Sequence, residues 1–181
     1  MSREAVMSNA VAPSAALPIA HVVVRILIIL NWLMGAMIVV LLVAMPNERW
    51  IMAAFKLTPS PDTDRLVMGL RAVAVLGLVT IPVHYAILKR LLAMVETVRA
   101  GDPFVATNAA RLRAIAWSLL ALQLLSIVIG TIGKAVSTPA HPVRLDAGFS
   151  VAGWLAVILT FVLARVFAEG TTMRDDLEGT V

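Results

Sequence analysis

Four long apolar stretches, separated by short polar segments, set the pattern of this chain. They cover roughly residues 22–44, 66–88, 114–133 and 148–166. Each is close to the roughly 20 residues that an α-helix needs to cross about 30 Å of hydrocarbon. Lipid offers exposed peptide groups no hydrogen-bond partner, so a spanning segment must satisfy its backbone internally, as a helix does. A helix at the surface of a soluble bundle keeps a polar face; the run from Ile26 to Met45 has almost none. The pattern predicts an all-α fold, an integral membrane four-helix bundle over residues 21–168. Residues 1–20, rich in Ala, Ser and Pro, read as a disordered N-terminus, and 169–181 as a tail. The first apolar run is too long for a signal-peptide core and no small-x-small cleavage pattern follows it, so it reads as an uncleaved span.

The polar segments carry their own signals. Trp50 and Phe55, among Ile51, Met52, Ala53 and Ala54, suggest a short interfacial helix, broken by Pro59 and Pro61. Residues 87–99 place apolar side chains at 87, 88, 91, 92, 95 and 98, with Lys89, Glu96 and Arg99 on another face. Span two is therefore expected to continue beyond the bilayer as an amphipathic helix to residue 99. Ala100-Gly101 suits a C-terminal cap, because Gly accepts positive φ. Pro103 lacks an N–H and pushes Asp102 out of the α region. Thr107 or Asn108 is placed to cap span three.

Charge sets the expected orientation. Nine basic residues fall on one side: Arg3, Arg25, Lys89, Arg90, Arg99, Arg111, Arg113, Arg165 and Arg174. Five fall on the other: Arg49, Lys56, Arg65, Lys134 and Arg144, with Arg71 inside span two. The positive-inside rule puts the richer side, with both termini, in the cytoplasm. Composition agrees with a membrane solvent: 60% of the 181 residues are apolar and 14% charged, against about 25% charged in soluble domains. Mean hydropathy is +0.92. With basic residues flanking apolar runs, the net charge of +4 is a topology signal, and no direct nucleic-acid binding is expected.

The stretch Arg99-Ala100-Gly101-Asp102-Pro103-Phe104, followed by Asn108, Arg111-Leu112-Arg113 and Trp117, resembles the signature of the DUF2975 family. The ending, Ala164 to Gly170 and Met173 to Glu178, is similar to that family's ending. The resemblance implies a bacterial inner-membrane protein of four spans with no assigned activity. It also implies an association with a small helix-turn-helix transcriptional regulator, and so a regulatory role by analogy. On that reading Arg99, Gly101, Asp102, Pro103, Phe104, Asn108, Arg111 and Arg113 form a partner-docking loop. The alternative for Gly101, Asp102, Pro103 and Asn108 is a tight, capped turn and nothing more.

Polar residues within spans are costly and each calls for a reason. Asn31 and Gln123 fall at similar depth and could bond each other as glue between helices. Arg71 can snorkel to the headgroups or pair with Asp146. Pro82 frees the carbonyl of Leu78, which Thr80 could help to satisfy. His84 and Tyr85 follow one turn later. The chain has no cysteine, hence no thiolate nucleophile or Cys-based metal site. Its three histidines are scattered, and no Asp or Glu lies within a span. No catalytic, cofactor or metal residues are assigned, and no enzyme activity is expected. A membrane-embedded regulatory or interaction module presenting residues 89–113 is the favoured function. A small oligomeric transporter or channel, lined by Asn31, Arg71 and Gln123, is the alternative.

Overall fold

In the computed structural model, residues 16–44, 60–138, 142–143 and 145–178 are described. They form four α-helices: α1 (Ala16–Ala44), α2 (Pro61–Arg99), α3 (Ala106–Val136) and α4 (Val151–Glu178). All four are long and apolar enough to cross a membrane. Close contacts run from α1 to α2, α2 to α3 and α3 to α4. Apolar side chains are turned outward all along them. Ile29, Leu33, Val40 and Val43 are exposed on α1, as are Leu155, Ile158 and Val162 on α4. In water such a surface would drive aggregation; in lipid it is the solvated face. The interior is small and holds Leu66, Ala74, Ile81, Ile87, Leu112, Ile115, Ala116, Val157 and Ala164.

Local chemistry fixes the ends of α2. Ser60 caps its start, accepting a hydrogen bond from the Thr63 amide on Oγ at 3.2 Å. Pro61 follows in the first turn with Asp62 and Asp64, whose charge suits the helix dipole. The helix runs 39 residues through Pro82 to Arg99, about 58 Å at 1.5 Å per residue. Residues 89–99 thus continue span two as one helix. Asp102 N–H bonds the Thr97 carbonyl at 3.1 Å and Gly101 N–H that of Val98, also at 3.1 Å. Together with Gly101 at φ 85°, this is a Schellman ending.

Several boundaries differ from expectation, three of them at α1 and α4. Helix α1 starts at Ala16, so residues 16–20 are helical. Helix α4 runs to Glu178 and takes in most of the expected tail. It also starts at Val151 instead of Gly148, because the preceding chain is spent on α3. Glycine makes that approach possible. A Cβ on Gly133 would collide with Leu145, and one on Gly130 would lie 2.6 Å from the Ala147 carbonyl oxygen. Ser126 Oγ then donates to Gly148 O at 3.2 Å and accepts from Gly148 N at 3.0 Å. Gln123 Nε2 reaches Ser150 O at 3.4 Å, and Ser150 caps α4 by accepting from Gly153 N at 3.1 Å. The ten residues from Gln123 to Gly133 measure about 15 Å along the helix. Residues 145–150 descend over that length without helical structure. Non-helical backbone at membrane depth is tolerated where protein buries and bonds it. The interfacial helix expected around Trp50 and Phe55 lies outside the described residues.

Candidate functional site

The loop between α2 and α3 is where the singled-out residues converge. Asn108 has no exposed surface. It does not cap α3: that position is Val105, with no side-chain cap. One turn inside the helix, its amide instead staples the loop. Nδ2 donates to Thr97 Oγ1 at 2.7 Å and to the Pro103 carbonyl at 2.9 Å. Oδ1 accepts from Arg111 Nη1 at 2.8 Å. All of its bonding capacity is directed inward, so the end of α2, the turn and the start of α3 are tied at one atom group.

Helix α4 closes this assembly. Asp102 pairs with Arg174, both side chains about half exposed. The rings of Phe104 and Phe167 lie 5.3 Å apart. Gly170 leaves room for the Phe104 ring; a Cβ there would come within 3.2 Å of it. Thr171 is buried beside them, its hydroxyl donating to the Phe167 carbonyl at 2.6 Å. Phe104 remains partly exposed, and Arg99 and Arg113 are exposed. The turn and the helical tail, about 70 residues apart in sequence, thus form one clamp. Thr97 is one member that sequence reasoning did not single out. Its signal was weak: one hydroxyl at the end of an amphipathic helix, three residues before a cap.

The cations of this end form a collar. Lys89 and Arg90 on α2 and Arg111 on α3 line a cleft of about 370 Å³ with Tyr85. Arg113 and Arg165 line another of about 440 Å³, together with Glu169, which accepts from Arg165 Nε at 2.8 Å. Aromatic pairs lie just inside the collar: Trp32 with Tyr85 at 5.5 Å and Trp117 with Phe161 at 5.3 Å. Aromatic rings beside basic residues mark a membrane–water interface.

Deeper in the spans, the expected Asn31–Gln123 bond is not formed. Asn31 Nδ2 donates to the Ile81 carbonyl at 3.1 Å, while Gln123 turns away to Ser150. Two α2 carbonyls beside Pro82 accept side-chain donors: Ile81 from Asn31, and Thr80 from His84 Nδ1 at 2.9 Å. Thr80 Oγ1 itself bonds Gly77 O at 2.7 Å, not Leu78 O. Arg71 is exposed on α2, two residues past Gly69, which packs against Val136 at the end of α3. That level is near one end of the span, where a guanidinium can snorkel to headgroups. Thr80, His84, Gln123, Ser126 and Asp146 share a third cleft of about 390 Å³ between α2, α3 and α4.

The fold and its apolar surface define a multi-pass membrane protein. A family model described as "Protein of unknown function (DUF2975)" matches residues 44–181, and the chain belongs to that family. No curated protein and no solved structure matches it.

Proposed function

We propose that this protein is an interaction module of the bacterial inner membrane, without catalysis of its own. It presents the basic end of its helices, residues 89–113 clamped to α4, to a cytoplasmic protein such as a helix-turn-helix transcriptional regulator. The observation that carries this reading is the clamp itself. Asp102, Phe104 and Asn108 are used to hold the loop in one shape against Arg174, Phe167 and Thr97. A loop fixed by satisfied bonds costs little further order on binding. Arg99, Arg113 and the outer face of Phe104 remain exposed on it. Those groups suit a partner surface that is acidic with an apolar centre.

Charge reversal separates presentation from folding. Arg99→Glu with Arg113→Glu should leave the thermal unfolding of the detergent-solubilised chain unchanged and abolish crosslinking to a helix-turn-helix regulator. Equal crosslinking by wild type and the double variant would remove this reading. The transporter reading is favoured by one feature, the cleft lined by Thr80, His84, Gln123, Ser126 and Asp146. Solute flux in proteoliposomes, lost on Gln123→Leu, would establish it.

A further inference from the structure

We propose that the cleft bounded by Tyr85, Ala86, Lys89, Arg90, Ala93 and Arg111 seats the phosphate of an anionic membrane lipid. Among the described residues that line it, three are cationic and none is acidic. The neighbouring cleft differs, since Glu169 there answers Arg165. Two of the three cations are already aimed. Arg111 Nη1 is held by Asn108 Oδ1 at 2.8 Å and by the Ala93 carbonyl at 3.4 Å. Asn108 is itself fixed by its two amide bonds and is fully buried. Arg90 Nη1 is tethered to the Ala86 carbonyl at 3.0 Å. A guanidinium has five donors; the tethers engage one nitrogen of each side chain, and the others remain for an anion. Arginines so restrained lose little freedom when they take a phosphate in bidentate fashion. Lys89 is exposed and adds a mobile third charge.

The surroundings select a lipid over a dissolved anion. Tyr85 closes the cleft on the membrane side, with its ring against Trp32 of α1. Trp32, Ile29 and Leu33 expose apolar surface alongside, a track for an acyl chain leading away from the phosphate. Basic pockets between spanning helices on the cytoplasmic side are sites for anionic headgroups. The position also has a consequence: the residue that aims Arg111 is the one that staples the clamp. Lipid occupancy and loop order are therefore linked through Asn108. The lipid site is independent of whether a protein docks on the loop.

The test uses the full chain in a neutral detergent, followed by tryptophan fluorescence during heating. Phosphatidylglycerol should raise the Tm by about 2–4 °C, and phosphatidylcholine should not. Lys89→Gln with Arg90→Gln should lose most of that rise. Arg99→Gln, which removes a charge from the same end but outside the cleft, should keep it. Native mass spectrometry of the same samples should show phosphatidylglycerol retained on wild type and on Arg99→Gln, and depleted on the double variant. Equal shifts from the two lipids would overturn the proposal. So would equal losses in the double variant and in Arg99→Gln, which would mean diffuse charge attraction. A rise reproduced by inorganic phosphate at millimolar concentration would assign the cleft to a free anion and overturn the lipid.

Discussion

Asn108 shows why a polar residue can be worth burying. A buried amide costs free energy unless bonded, and this one satisfies Thr97, the Pro103 carbonyl and Arg111 together. Asn108→Ala should cost about 1–3 kcal/mol, because it strands those partners; thermal unfolding in detergent measures it. Asn31 and Gln123 answer a different question. They hold separate partners, so the shifts in Tm of Asn31→Leu and Gln123→Leu should add. A coupling beyond about 0.5 kcal/mol would contradict the separate bonds. Gly69 is needed for its missing Cβ, which would collide with Val136. Gly69→Ala should cost about 1–3 kcal/mol by overpacking, and adding Val136→Ala should recover most of it. Much of this was hidden in the sequence. Asn108 next to a turn reads as a cap, since capping is the commonest local use of Asn. Only its distance from Thr97, one helix away, decides that it is a staple.

At the scale of elements, two connections carry the structure. The clamp joins the turn after α2 to the end of α4 through Asp102–Arg174 and Phe104–Phe167. The ion pair is half exposed and contributes about 0–1 kcal/mol; the rings and Asn108 matter more for stability. Its use is to fix position. The chain has no native cysteine, so Asp102→Cys with Arg174→Cys should crosslink efficiently with a short bis-maleimide. A pair at Asp102 and Asp62, at opposite ends of α2, should not. The second connection is the non-helical descent over 145–150. Its signal was present in sequence as Gln123, Ser126, Gly130 and Gly133, small or polar residues sharing one face of α3. A stripe of that kind usually receives another helix. Here it receives backbone, because Ser126 and Gln123 can bond the peptide groups that an unwound segment exposes. Ser126→Ala removes both bonds to Gly148 and should lower the Tm more than Ser118→Ala, whose hydroxyl bonds only its own helix.

For the whole molecule, the antiparallel order of α2, α3 and α4 brings Lys89, Arg90, Arg111, Arg113 and Arg165 to one end. The positive-inside rule predicts that this end faces the cytoplasm. A reporter joined after residue 181 should therefore be active in the cytoplasm, and one inserted between residues 45 and 59 should be active on the far side. The reverse result would invert the orientation and move the clamp away from any cytoplasmic partner.

The amino-acid sequence by itself determined the solvent, the number of spans, the helical class and the family. Each of these depends on apolar length or on a contiguous motif, both of which survive without knowledge of contacts. The long α2 and its glycine ending were also set locally, since caps and helical periodicity act within a few residues. Tertiary structure alone decided which polar groups meet. Asn31 found the Ile81 carbonyl of α2, Gln123 found the start of α4, and Asp102 found Arg174 72 positions away. In lipid a polar group gains by finding a partner nearby, and which partner is nearest is a property of the packed helices.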